Sequence, residues 1–271
     1  MLHVKSVFLA ALALYFMKLI FARDLQKQIS TVELMEIWDK LDLDGNGYIE
    51  KYELNKLAKY VGDWNEEEMH KAFDTNNDGR FDIDELAHIL QAQPNFLERF
   101  NVHNRISSID LMKIWKKYDS NKSGYLERFE MRGFVKDLLN LNKEYVNVKA
   151  IDAYVSQISN LYDENHDGKF GLTELASIVP LETNILTQFQ NMHELTESEI
   201  RTITNHYDED SSGILEESEL DAFIRDLLDK NKMEHNAKDI QDFKMNFYEA
   251  LDQNKNGEID TTEFVKLLKM H

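Results

Sequence analysis

Six times in this chain a twelve-residue stretch places Asp at position 1, Gly at position 6, an apolar residue at 8 and Glu at 12. The clearest runs Asp119, Ser120, Asn121, Lys122, Ser123, Gly124, Tyr125, Leu126, Glu127, Arg128, Phe129, Glu130. Side-chain oxygens at 1, 3, 5, 9 and 12 converge only if the backbone winds round one point. Glycine at 6 permits the sharp turn because it has no Cβ to clash at positive φ. Position 12 is far enough along to start a helix and offer both carboxylate oxygens. Such a loop suits a hard cation with six to eight oxygen ligands at about 2.3–2.6 Å, position 7 adding its backbone carbonyl.

Taking positions 1, 3, 5, 7 and 12 in turn, the candidate ligands of the first loop are Asp42, Asp44, Asn46, Tyr48 and Glu53, and of the second Asp74, Asn76, Asp78, Arg80 and Glu85. The third offers Asp119, Asn121, Ser123, Tyr125 and Glu130, and the fourth Asp163, Asn165, Asp167, Lys169 and Glu174. In the fifth they are Asp208, Asp210, Ser212, Ile214 and Glu219, and in the sixth Asp252, Asn254, Asn256, Glu258 and Glu263. The ninth position is acidic except in the fourth loop, where Gly171 would leave the ligand to a water. Glu at 12 throughout favours seven-coordinate Ca²⁺ over octahedral Mg²⁺. One such stretch could be an acidic turn or a decayed loop; six in one frame argue for Ca²⁺ as the bound cofactor.

The 42% hydrophobic content over 271 residues is enough for a core, and a net charge of −19 excludes nucleic acid and anionic membrane as partners. No cysteine means no disulfide, zinc-thiolate site or thiol nucleophile. Two prolines, few glycines outside the loops and no β-type alternation point to an all-α fold.

Residues 1–22 form an apolar leader, with an unbroken apolar run from Val7 to Phe16. It is too short for a stable membrane span and suits the core of a signal peptide. Lys18 and Ile20 fit a signal poorly; a membrane-associating helix, or a start at Met17, are the alternatives.

From Ile29 onward the chain repeats. Loops start at 42, 74, 119, 163, 208 and 252, and residues 106–179 map onto 195–268 with an offset of 89. Ile29 to Trp38 map onto Ile106 to Trp115 with an offset of 77, so the unit is a pair of helix–loop–helix hands and the first pair is 12 residues short. The expected domains are pairs at 29–91, 106–180 and 195–271. Ser30 with Glu33, Ser107 with Asp110 and Thr196 with Glu199 are N-terminal capping signals. Leu34, Ile37, Trp38 and Leu41 mark the buried face of an entering helix, and Leu54, Leu57, Ala58 and Val61 that of an exiting one. The position-8 residues (Ile49 with Phe81, Leu126 with Phe170, Leu215 with Ile259) should form short two-stranded ribbons between paired loops. Asn95, Phe96, Leu97 and Phe100 recur as Asn184, Ile185, Leu186 and Phe189, a register that a mere tether would not need. These segments should dock on neighbouring helices and bind the three pairs into one globule.

Three fused pairs, exit helices reading Phe134 to Leu139 and Phe223 to Leu228, and the Glu85 to Phe100 linker resemble the calbindin, calretinin and secretagogin family, its calbindin branch above all. The resemblance covers about residues 30–271. It implies a cytosolic, monomeric calcium buffer, found also in nucleus and neuronal processes, with sensor behaviour and unidentified protein partners in certain members. Two departures stand out. Vertebrate calbindin has degenerate second and sixth loops, whereas both are intact here, and the family lacks the 1–22 leader.

A sensor would gather methionines in one groove. Here Met35, Met69, Met112, Met131, Met192, Met233, Met245 and Met270 are scattered, which favours a buffer. A secretory-pathway calcium protein or chaperone of the reticulocalbin and calumenin kind is the alternative. Against it, the chain ends Leu268, Lys269, Met270, His271 without a retention signal, and the sequon at Asn121 would spend a loop ligand. No enzyme is expected: Glu85 with His88 resembles half of a di-metal carboxylate motif, but Glu85 already fills position 12 of a loop.

Overall fold

The computed structural model describes residues 28–61, 66–100, 102, 104–141, 146–189, 192, 194–252 and 254–269. The 1–22 leader, the side chains of Ala58 and Val61, and Met270 lie outside the described residues. Among the described residues the chain is helical apart from two two-residue strands. The first pair of hands contains α1 (Thr31–Leu41), α2 (Lys51–Val61), α3 (Glu66–Phe73) and α4 (Ile83–Ile89). The second contains α5 (Ser108–Tyr118), α6 (Arg128–Leu141), α7 (Val148–Tyr162) and α8 (Leu172–Ile178). The third contains α9 (Glu197–Tyr207), β1 (Ile214–Leu215), α10 (Glu217–Lys230), α11 (Ala237–Leu251), β2 (Ile259–Asp260) and α12 (Thr261–Leu268). Short 3₁₀ turns at Phe96–Arg99 and Ile185–Gln188 precede the second and third pairs.

Helices begin where side chains satisfy the free N–H groups of the first turn. Ser30 and Glu33 form the reciprocal box, Glu33 N donating to Ser30 Oγ at 3.1 Å and Ser30 N to Glu33 Oε2 at 2.7 Å. Thr196 and Glu199 do the same at α9. At α5 Asp110 N donates to Ser107 Oγ at 3.0 Å. Five entering helices end on the first loop residue: Asp42, Asp119, Asp163, Asp208 and Asp252 are their C-caps.

The cores follow the periodicity. Leu34, Met35, Trp38, Leu41, Leu54 and Leu57 are buried, whereas Ile37 is half-buried. All six position-8 residues are buried, and they pair as expected: Ile49 with Phe81 and Leu126 with Phe170 as single antiparallel bridges, Leu215 with Ile259 inside the β1–β2 ladder. Each of the first two pairs is also closed where its chain enters and leaves, by parallel bridges from Ile29 to Ala92 and from Ile106 to Leu181.

The chain divides into two compact units, 1–94 and 95–271. The first pair forms one unit, and the second and third pairs share the other. Within 95–271 the largest helix contact is α5 against α10. The linkers dock as their register required. Asn95 Nδ2 donates to the Asp137 carbonyl at 2.7 Å, and 89 residues on Asn184 Nδ2 donates to the Asp226 carbonyl at 2.7 Å. Leu97 and Leu186 are fully buried.

Candidate metal centres

Each loop winds through two left-handed residues. Position 6 is glycine with φ between 76° and 87° in all six loops. Position 4 is also left-handed, and only Gly45 takes that conformation without a Cβ; Asn77, Lys122, His166, Ser211 and Lys255 hold φ of 56–57°. These turns aim successive backbone N–H groups inward. The position-1 carboxylate accepts the position-6 N–H throughout, from Gly47, Gly79, Gly124, Gly168, Gly213 and Gly257 at 2.9–3.2 Å.

Among the described residues the position-12 glutamate is held at both oxygens in the first five loops and at Oε2 in the sixth. Its Oε1 accepts the position-2 N–H (Leu43, Thr75, Ser120, Glu164, Glu209) at 2.7–3.1 Å. Its Oε2 accepts the position-9 N–H (Glu50, Asp82, Glu127, Gly171, Glu216, Asp260) at 2.7–3.2 Å. The second bond is the return half of a capping box in which position 9 is N-cap and position 12 is N3, as at Asp82–Glu85 and Asp260–Glu263. One carboxylate thus starts the exit helix and faces the loop. Glu53, Glu85, Glu130, Glu219 and Glu263 are buried; Glu174, beside Gly171, is half-buried.

In the two loops with an acid at position 3 the carboxylates draw together. Oxygens of Asp42, Asp44 and Glu53, and of Asp208, Asp210 and Glu219, lie within 4.8 Å of one another. Burial pushes Asp42, Asp119, Glu130 and Glu219 above the ordinary carboxylate range. Carboxylates crowded out of water need a cation to remain charged, and an all-oxygen donor set selects a hard one.

In the first two pairs the position-7 side chains meet across the paired loops, Arg80 also reaching Asp78 Oδ2 at 3.4 Å, which leaves the carbonyl as that position's donor. Arg80 lies over the Tyr48 ring at 3.9 Å, and Lys169 over Tyr125 at 5.7 Å. Other residues missed in sequence support the ligands. The Thr75 and Ser120 hydroxyls donate to Glu85 and Glu130 at 2.8 and 3.0 Å. The Tyr52 hydroxyl donates to Asp44 at 2.6 Å and is the main reason that carboxyl is held low. Trp38 Nε1 donates to Asp42 Oδ2 at 3.1 Å. The available signals were a hydroxyl residue at position 2 and a donor one helical turn before position 1.

Paired helix–loop–helix units closing on six carboxylate loops define an EF-hand calcium-binding protein, and the EF hand family model matches residues 39–58, 71–90 and 249–268. Calretinin from Bos taurus is 38% identical over 234 residues, 80% of this chain and 85% of the relative. Calbindin-32 from Drosophila melanogaster is 34% identical over 267 residues, 89% and 86% of the two chains. Calbindin from Rattus norvegicus is 35% identical over 237 residues, 84% and 90%. The chain belongs to the calretinin and calbindin family, whose members are calcium-binding proteins rather than enzymes.

Proposed function

We propose that this chain is a six-site calcium buffer, its pairs at 29–91, 106–180 and 195–271 each taking two Ca²⁺ through the position 1, 3, 5, 7 and 12 residues named above. The observation that carries this reading is the position-12 glutamate, held in every loop by the N–H of position 9. Met35, Met69, Met112 and Met131 are core residues, whereas Met233 and Met245 are exposed, so the methionines are divided between core and surface. That favours buffer over sensor. The test is an apolar dye and the radius of gyration, each measured with and without calcium. A buffer leaves both nearly unchanged, and a large rise in dye fluorescence would make the protein a sensor.

The same reading places the protein in the cytosol as a monomer. Family membership supports it, and no helix among the described residues is long and apolar enough to cross a membrane. A reporter fused to residues 1–30 should stay inside the cell; its secretion would move the protein to the secretory pathway.

A further inference from the structure

Helix α5 belongs to the third hand, yet its lysines reach the fifth loop at both ends. Lys113 Nζ lies 2.7 Å from Glu209 Oε2. Glu209 is position 2, between Asp208 and Asp210, and its backbone N–H donates to Glu219 Oε1 at 2.9 Å. At the far end Lys116 Nζ lies 3.3 Å from Glu217 and 3.0 Å from Asp221. Asp221 is fully buried and is shared with Lys244 of α11 at 2.9 Å, which also holds Glu217 at 3.0 Å. Helix α9, which enters the fifth loop directly, carries Thr202 and Asn205 at the positions equivalent to Lys113 and Lys116. Two of the cations beside this loop, Lys113 and Lys116, therefore come from another pair, and Lys244 comes from its own.

We propose that Lys113 is a determinant of calcium affinity at the fifth site, supplied across the pair boundary by α5. The inference rests on the reading of the fifth loop as a calcium site. Asp208, Asp210 and Glu219 bring three carboxylates within 4.8 Å, Glu216 and Glu217 follow at positions 9 and 10, and Glu209 adds a further negative charge at position 2. Lys113 cancels the charge of Glu209. Without it Glu209 would strengthen the attraction of the loop for a dication; with it the site is held weaker than its own sequence implies. Lys116 acts behind the exit helix, on Glu217 and Asp221, and so braces the helix. Lys113, with Asp110 one turn before it on α5, faces the first turn of the loop and sets the field there.

The experiment is a calcium titration of the full chain, followed at the Gly213 amide, which donates to Asp208 at 3.2 Å and so reports this loop. Lys113→Met keeps the stem and removes the charge. It should tighten the fifth site about two- to fivefold, the range expected for a part-exposed charge pair. Lys113→Met with Glu209→Gln removes both charges and should return the midpoint to that of the unaltered chain. A loss of packing between α5 and α10 would not be reversed in this way. The difference between Lys113→Met and the unaltered chain should also shrink between 0.1 and 1 M salt, as the screening length falls from about 10 to about 3 Å. An unchanged Gly213 midpoint in Lys113→Met, or a failure of the double variant to return to it, overturns the proposal. A Gly213 amide in the unaltered chain that ignores calcium would overturn the reading of the loop itself.

Discussion

Leu126 and Phe170 exchange both backbone hydrogen bonds, Leu126 N–H to the Phe170 carbonyl at 2.8 Å and Phe170 N–H to the Leu126 carbonyl at 3.0 Å. Each lies directly after its loop's position-7 carbonyl, so a change in one loop is felt at a donor of the other. Glu130→Gln removes half of a charged bidentate carboxylate and should abolish the third site. It should also weaken the fourth by about fivefold or more, the lower end of ordinary coupling between sites. A calcium titration followed at the Gly124 and Gly168 amides checks this. An unmoved Gly168 midpoint would show that the hands act independently.

Asn95 both starts its 3₁₀ turn, accepting from Leu97 N at 2.9 Å, and anchors it to the Asp137 carbonyl. Asn95→Ala should lower the stability of the 95–271 unit by about 1–2 kcal/mol, since each of the two part-buried bonds contributes roughly 0.5–1.5 kcal/mol. Asn184→Ala should match it. Thermal melts of the calcium-loaded chain decide the point, and an unchanged melting temperature would mean that the linkers are tethers after all.

Burial alone would lower the pKa of Lys244, but Asp221 and Glu217 overcome it and leave the group above its ordinary 10.5. A raised folded-state pKa gives stability that is complete below the unfolded value and is lost as pH rises through the folded one. Denaturant unfolding should therefore show this contribution intact from neutral pH to about 10.5 and falling above it. Lys244→Met should be less stable at pH 7 by up to about 3 kcal/mol, because the buried Asp221 loses one of its two cations. Its alkaline decline should also be shallower. Parallel alkaline profiles for the two proteins would remove Lys244 from the account.

Helices α2 and α3 have 11 and 8 residues, against 14 and 15 for α6 and α7 and 14 and 15 for α10 and α11. Short helices depend more heavily on packing, so the first pair should open first. Amide hydrogen exchange on the calcium-loaded protein should find residues 66–73 less protected than 148–162. Equal protection would contradict this.

Most of the fold was legible because its signals are local. The loop frame and the Ser30 and Thr196 caps depend on residues a few positions apart, and the position-8 ribbons follow from the repeat of that frame in the paired loop. The 89-residue register betrayed the docking of Asn95 and Asn184 because an unneeded side chain would not recur in step. The packing of α5 on α10 was not legible. It brings Ser108 to Asp226 at 2.7 Å across 118 residues, with no repeated signal in the chain. The burial of Asp137 and Asp226 carried no signal either: both are buried and take the Tyr118 and Tyr207 hydroxyls at 2.6 and 2.8 Å. Nor did the spacing of the pairs announce that the first would stand as its own unit.

The most direct test of the account is the number of calcium ions bound by one chain. The second loop (Asp74 to Glu85) and the sixth (Asp252 to Glu263) keep the same position-1 and position-12 bonds as the rest: Gly79 and Gly257 to the first carboxylate, Asp82 and Asp260 to the last. Native mass spectrometry of the chain in saturating calcium should therefore reach a plateau at six Ca²⁺. A plateau at four, with Asp74→Ala and Asp252→Ala leaving the count unchanged, would contradict the account.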